Sequence, residues 1–376
     1  MLPETSIVAH FAQLDDPRDG RNRKHPLINV ISIAILGVIS GADTWVDIER
    51  YGQSKREWLG TFLDLENGIP SHDTFGRVFR WLDSEAFQAQ FMSWTEQICH
   101  HSGGRVVALD GKKLRRSQDS NHQREGIWMV SAWTSENRMV LGQRKVDEKS
   151  NEITAIPLLL SALDINGCVV TMDALNTQTE IAATIIKQGA DYILPVKGNQ
   201  GSVYEDMQDL FDGFESDNYD AVIYDTAKQI NEGHDRQEIR QCWVVHQPGY
   251  LDYLRRADDW SHLTSLVKLL TVRRFAGKTS VEIRYFISSW QASASDFLDR
   301  IRDHWQIENG LHWILDIAFR EDESRIRKNH APQNMATLRH VALNLLKQER
   351  SVKVGIAAKR KMAGWDNDFL FKVLCS

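Results

Sequence analysis

The chain has 376 residues, a formal net charge of −6, 42% hydrophobic residues and 26% charged ones. That length allows two or three domains around a sizeable buried core, and the composition excludes a disordered or fibrous protein. The longest apolar run, Val30 to Ala42, is interrupted by Ser32, Gly37, Ser40 and Gly41; it is too short for a bilayer, so no membrane partner is expected and a cytoplasmic location is.

The four cysteines, Cys99, Cys168, Cys242 and Cys375, stand singly with no CxxC pair, which argues against a structural zinc or a disulfide framework. An acidic total argues against a protein that coats nucleic acid, but local clusters of basic residues matter more than the sum.

Residues 1–102 read as a helical domain, with apolar residues at helical spacing over Val30–Gly41, Trp45–Leu63 and Thr74–Cys99, and Ser71 as a helix start. At Gly103-Gly104 the pattern changes. Arg105–Leu109 reads as a short buried strand ending in Asp110-Gly111, and Ile127–Thr134 with Met139–Val146 as a hairpin. Glu152–Leu163 reads as a helix, Cys168–Met172 as a strand ending in Asp173, and Tyr192–Val196 as a further strand. Between the last two, Thr177 with Glu180 has the spacing of a capping box. This order implies a mixed sheet with helices packed on it over residues 103–200. Residues 201–291 open with an acidic helix at Ser202 and read as a β-rich insertion, with strands at Arg236–His246, Leu266–Phe275 and Val281–Trp290. Residues 292–376 read as C-terminal helices that complete the domain, the first capped by Ser295 and running to about Phe319. The fold class is therefore α+β.

Three acids stand out. Asp110 closes the run Val-Val-Ala-Leu-Asp and Asp173 closes Val-Val-Thr-Met-Asp; an acid at the end of a buried strand is costly to desolvate unless it is paired, hydrogen-bonded or bound to a metal. One such acid suits an Asp-Gly turn, but two suggest a site. In the helix after Ser295 the stripe Leu298, Ile301, Trp305, Glu308, His312, Leu315 puts Glu308 on the core-facing side at regular helical spacing. A structural ion pair and a metal ligand both account for such a Glu. Three carboxylates suit hard divalent cations, and two ions about 4 Å apart can cut and join phosphodiesters.

Local sequences extend this reading. Gly-Ile-Pro-Ser-His-Asp-Thr-Phe at 68–75, Ala-Leu-Asp-Gly-Lys at 108–112, Met-Asp-Ala at 172–174, Leu-Pro-Val-Lys-Gly-Asn-Gln at 194–200 and His-Trp-Gln-Ile-Glu-Asn-Gly-Leu-His-Trp at 304–313 resemble, in that order, the DDE transposases of bacterial insertion sequences, in particular the H-repeat-associated (ISAs-type) group. The resemblance covers essentially the whole chain. It implies a ribonuclease-H-like catalytic fold, with Asp110, Asp173 and Glu308 as catalytic residues and as ligands of two Mg²⁺ or Mn²⁺ ions. It implies DNA partners (the element's terminal inverted repeats and a target), a homo-oligomer on paired ends and a nucleoid-associated location. Helices 1–102 would read the DNA ends. The alternatives are a hydrolytic nuclease without strand transfer and a non-catalytic DNA-binding remnant of a mobile element. The pattern Y-x2-R-x3-E-x6-K of related transposases is not met, because Ile301, His304 and Leu315 stand at its Tyr, Arg and Lys places.

The candidate DNA-binding residues are Lys112, Lys113, Arg115 and Arg116 beside Asp110, then Lys197, and Arg325 with Lys328. A third basic group, Lys353, Lys359, Arg360 and Lys361, lies near the C-terminus. Acids concentrate at Glu205, Asp206, Asp209, Asp212, Glu215, Asp217 and Asp220. Any one of these clusters alone reads equally as a solvated face.

Overall fold

The computed structural model describes residues 7–20, 23–99, 105–118, 126–146, 152–216, 222–233 and 236–376. The Gly103-Gly104 transition and the acids Asp217 and Asp220 lie outside them. The fold is mixed α+β: a nine-stranded sheet flanked by helices, in the order β3-β2-β1-β4-β5-β9-β8-β7-β6.

In chain order, α1 (Ile7–Phe11), α2 (Leu27–Ile39), α3 (Trp45–Ser54), α4 (Arg56–Leu59), α5 (His72–Trp81) and α6 (Ser84–Ile98) precede the sheet. The first strands are β1 (Val106–Lys113), β2 (Trp128–Thr134) and β3 (Met139–Val146). Then come α7 (Glu152–Leu160), β4 (Val169–Thr171), α8 (Thr179–Lys187), β5 (Asp191–Val196) and α9 (Ser202–Ser216). The far half of the sheet is β6 (Asp225–Gly233), β7 (Arg236–Val245), α10 (Pro248–Leu251), β8 (Ser265–Phe275) and β9 (Lys278–Ser288). The chain ends in α11 (Ala294–His304), α12 (Trp313–Ala318), α13 (Ala331–Gln348), α14 (Ile356–Trp365) and α15 (Asn367–Leu374).

Several boundaries differ from the sequence expectation. The helix expected over 45–63 breaks at Lys55, and the one expected over 74–99 breaks at Leu82, where Asp83 caps α6 by accepting from the amides of Glu85 and Ala86. Thr177 does not cap α8, which starts at Thr179 with Gln178 at its N-cap; the Thr177 hydroxyl donates to Pro195 O. Ser293 rather than Ser295 caps α11, in a box with Asp296. Strand β6, polar along its length at the sheet's edge, has no hydrophobic alternation to announce it.

Strands β1–β4–β5 are parallel and the other neighbours antiparallel; β5 pairs with β9, so the strands of residues 201–291 continue the central sheet. One face carries α7, α8 and α9 over a core that includes Val107, Leu109, Val170 and Met172. On the other face, Ala108 and Trp133 join a core shared by the N-terminal helices and α13. Helix α13 is buried on every side from Ala331 to Leu346, and two of its asparagines are matched to backbone. Asn344 exchanges two hydrogen bonds of 2.9 Å with the backbone of Val140, and Asn334 donates to the carbonyls of Phe79 and Leu82. Among the described residues no helix is long and apolar enough to cross a membrane.

Candidate active site

The register of β1 against β4 decides where the two aspartates stand. Ala108 lies opposite Thr171. Side chains alternate along a strand, so Asp110 and Asp173, each two residues further on, leave the sheet opposite each other on the face of Ala108. Val107, Leu109, Val170 and Met172 point the other way, into the core below.

Helix α11 crosses that face. His304 Nδ1 lies 3.0 Å from Thr171 Oγ1, and its Nε2 lies 4.0 Å from Asp173 Oδ1. His312 Nε2 lies 3.0 Å from Asp110 Oδ2, although not aligned for a hydrogen bond. Residues 304, 308 and 312 are spaced four apart, so they share one side of the helix, and Glu308 stands between the two anchored histidines. Its carboxyl is pushed above the usual range by partial burial, then by the charges of Asp110 and Asp173, with His312 pulling the other way. Glu308 is exposed at the surface, so the neighbouring charges are the informative causes: the three acids sit in one another's field. Burial holds the His304 imidazole below its usual range, against the pull of Asp173 and Asp110.

The expected stripe on this helix is corrected by the structure. Trp305 is 38% exposed and Glu308 is open to solvent, while Ile307, Leu311, Leu315 and Phe319 are buried. Helix α11 ends at His304 with Trp305 as its C-cap, which already breaks the uniform period, and a widened π-helical turn, Glu308–His312, follows before α12. A π-turn holds an extra residue and shifts the phase of everything after it. Gly310 sits against Trp133, where a Cβ would fall 2.9 Å from the indole. Lys347 of α13 donates to Gly310 O at 2.7 Å and lies 4.0 Å from the centre of the Trp133 ring. Burial, then Arg138, pushes the Lys347 ammonium down to about 7. The unfolded chain keeps that proton to about pH 10.4, so between pH 7 and 10 it binds more protons than the folded chain and stability rises with pH. The slope approaches about 1.4 kcal/mol per pH unit. In urea denaturation across that range, Lys347→Met is expected to flatten this rise.

A carboxylate the sequence reading passed over, Glu152 at the start of α7, lies near both aspartates but under the sheet. Gly111 faces that side, and a Cβ there would fall 2.0 Å from Glu152 Oε1. Asn176 donates to Glu152 Oε2 at 2.8 Å, and burial, with Asp110 and Asp173 nearby, raises the Glu152 carboxyl. An acid in the first turn of a helix reads from sequence as ordinary dipole pairing, so no signal separated it. Among the described residues no three His, Cys, Asp or Glu side chains are already gathered tightly enough to hold a metal ion.

The basic candidates fall in different places. The Lys112 ammonium is buried between Asp316 and Glu321, 3.0 Å from Glu321 Oε2. Lys113 lies over the exposed Trp128 ring. Arg115 pairs with Asp322 at 3.1 Å, and the Arg116 carbonyl accepts from Arg327. Lys197 lines a small cavity with Asp173, Arg284 and Trp305. Arg325 and Lys328 are exposed on the segment after α12. Of the acidic helix, Glu205 and Asp206 pair with Arg255, and Glu215 with Lys268. In the C-terminal basic group, Lys359 and Arg360 are buried on backbone carbonyls.

Residues 101–345 match the family described as "Transposase DDE domain", and residues 8–95 match "DDE_Tnp_1-associated". The "H repeat-associated putative transposase YhhI" of Escherichia coli strain K12 is 37% identical over 98% of this chain and 97% of its own length. The "Putative transposase YncI" of Escherichia coli O157:H7 is 38% identical over 99% of this chain and 95% of its own. Among solved structures, the chain is similar to a piggyBac transposase in a synaptic complex with hairpin DNA, at 10% identity and a TM-score of 0.45, covering 100% of this chain and 78% of that one; that likeness is too remote to add to the assignment. With a family match across most of its length and full-length relatives of this kind, the chain belongs to the DDE-domain transposases, in the H-repeat-associated group.

Proposed function

We propose that the protein cuts DNA at the ends of its insertion sequence and joins those ends to a target, using Asp110, Asp173 and Glu308 on a ribonuclease-H-like core. The observation that carries this reading is the β1–β4 register, which brings Asp110, within β1, and Asp173, just beyond β4, onto one face beneath the helix side that bears Glu308. The donor set fits a hard divalent cation: oxygen ligands only, with mutual repulsion that a cation would relieve. Asp110, Asp173 and Glu308 would hold two Mg²⁺ or Mn²⁺ ions, which when bound supply activation of the attacking oxygen and stabilisation of the leaving one.

The protein's own residues do the positioning. His304 and His312 fix the helix over the aspartates, and Thr171 fixes His304. Lys197, beside Asp173, and Lys113, Arg115 and Arg116, beyond Asp110, supply positive charge where a phosphate backbone would enter. Lys112, enclosed by Asp316 and Glu321, acts through the packing of that segment instead. Residue 304 is His where related transposases have Arg and residue 315 is a buried Leu where they have Lys, so those phosphate contacts are not carried over. The helices of residues 1–102 would read the DNA ends, residues 103–200 and 292–376 form the catalytic domain, and the strands of 201–291 are inserted in it.

The test is incubation with a labelled duplex bearing the element's inverted repeats, a plasmid target and Mg²⁺ or Mn²⁺. Joined products are the expected result. Cleavage without joining would make the protein a hydrolytic nuclease, and no cleavage with DNA binding intact would make it a non-catalytic remnant.

A further inference from the structure

A large cavity lies apart from the three acids. It is a groove of about 910 Å³ between two walls. One wall is the start of α3 with the outer face of α5; the other is the segment from Arg320 to Lys328 that leads into α13. The α5 face is built for exposure. Phe75, Val78 and Phe79 turn into the core, which leaves His72, Asp73, Gly76, Arg77 and Arg80 along the groove. Gly76 lets the Trp45 indole lie against the helix, with a Cβ position 3.4 Å from its Cδ1.

Charge is what distinguishes this groove. Six basic residues line it: Arg77, Arg80, Arg320, Arg325, Arg327 and Lys328. Most of its acids are already engaged. Asp43 pairs with Arg360 at 3.1 Å, Asp47 closes a capping box with Thr44, and Glu323 pairs with Arg320. Among the described residues Asp47 pairs with no basic side chain, and Asp73 only with the adjoining His72, 3.7 Å away. Arg77, Arg80, Arg325 and Lys328 have no acidic partner among the described residues. The Arg80 guanidinium lies over the exposed Trp81 ring, 4.9 Å from its centre, and its Nε is buried without a hydrogen-bond partner. Left alone, such a concentration of like charge in a concave surface repels itself, and an anionic polymer relieves it.

The groove is also tied to the strand that carries Asp110. Lys112 holds Glu321, Arg115 pairs with Asp322, and Arg327 donates to the Arg116 carbonyl at 3.0 Å. The wall from Arg320 to Lys328 is therefore stapled to the end of β1.

We propose that this groove binds the phosphate backbone of duplex DNA and leads it toward the acids, with Arg77 and Arg80 of α5 facing Arg325 and Lys328 across it. The proposal rests on the DNA-cutting reading and adds residues of the N-terminal helices to it. A second copy of the chain, docking through acidic α9, is the competing occupant. It fits less well, because Glu205, Asp206 and Glu215 are already paired with Arg255 and Lys268.

The test uses the full-length protein, a fluorescein-labelled duplex of mixed sequence and anisotropy titrations at several salt concentrations. The variants are Arg77→Gln/Arg325→Gln/Lys328→Gln and, at exposed positions outside the groove, Arg256→Gln/Arg274→Gln as control; melting curves check that each folds. Each lost phosphate contact lowers the steepness of log K against log salt by about 0.9. The groove variant is expected to lose at least about tenfold in affinity at low salt and about 3 in slope, with the control unchanged. Equal losses in both variants, or none in the groove variant, would overturn the groove while leaving the DNA-cutting reading in place. Loss of self-association without loss of DNA binding would assign the groove to a second copy and overturn the proposal. A wild-type protein that binds no duplex at any salt would sink both readings.

Discussion

Glu308→Gln is expected to abolish DNA cleavage, by at least about 10²–10³-fold, the scale seen when one charge-stabilising group is removed from a transition state. Folding should be untouched. Glu308 is open to solvent and its side chain accepts no hydrogen bond among the described residues; the charges around it are two other acids and His312. Gln keeps its volume and removes a repulsive charge, so the melting temperature without metal should stay level or rise. A structural ion-pair member would behave in the opposite way, stranding a buried partner charge. Melting curves without metal beside a cleavage assay with Mg²⁺ separate the two, and a stable variant that cuts at the wild-type rate would remove Glu308 from the catalytic set.

Glu321→Gln should show the reverse: a large loss of stability. Glu321 is buried between Lys112, 3.0 Å away, and Arg339, 3.6 Å away, and both cations are themselves largely enclosed. Burial alone would raise its carboxyl, but Lys112 and Arg339 outweigh it and hold the group below its usual range. Its charge therefore stabilises the fold above pH about 4.3, the value for a free glutamate, and that contribution is lost as the pH falls through the lower folded value. Gln leaves Arg339 buried without a counter-charge, and breaking a buried pair from one side costs about 3–5 kcal/mol. Urea denaturation at neutral pH measures it; a loss below about 1 kcal/mol would mean that water reaches the cluster.

These two glutamates show what was legible in the sequence. The facing of the two aspartates was, because Val-Val-Ala-Leu-Asp and Val-Val-Thr-Met-Asp each end a buried run in an acid, and equal lengths of run give equal register; that β1 runs on past Asp110 to Lys113, paired with β2, was not. The side of the helix that bears Glu308 was read with a uniform period and so came out facing the core. The break at Trp305 and the π-turn after it interrupt that period, and the turn is held by Gly310 against Trp133 and by Lys347, contacts between elements far apart in the chain. Lys112 read as a phosphate ligand because its local neighbours are basic; Asp316 and Glu321, which enclose it, lie some two hundred residues on. The groove was hidden for the same reason: one wall is in α5 and the other beyond Arg320, and each alone looks like a solvated face.

The widened turn at Glu308–His312 also bears on how such a gene can decay. Removing one codon anywhere within it would keep the reading frame and still yield a continuous helix, now of ordinary pitch. Each residue advances an α-helix by about 100°, and the widened turn spends one residue more than an α-turn on nearly the same rotation. A loss within it that spares Glu308 should therefore leave His304 on Thr171 and Leu311, Leu315 and Phe319 in the core. The same three-nucleotide loss inside α11 would instead turn the two segments by about 100° relative to each other and should silence the protein, although a sequence comparison would score both as a single gap.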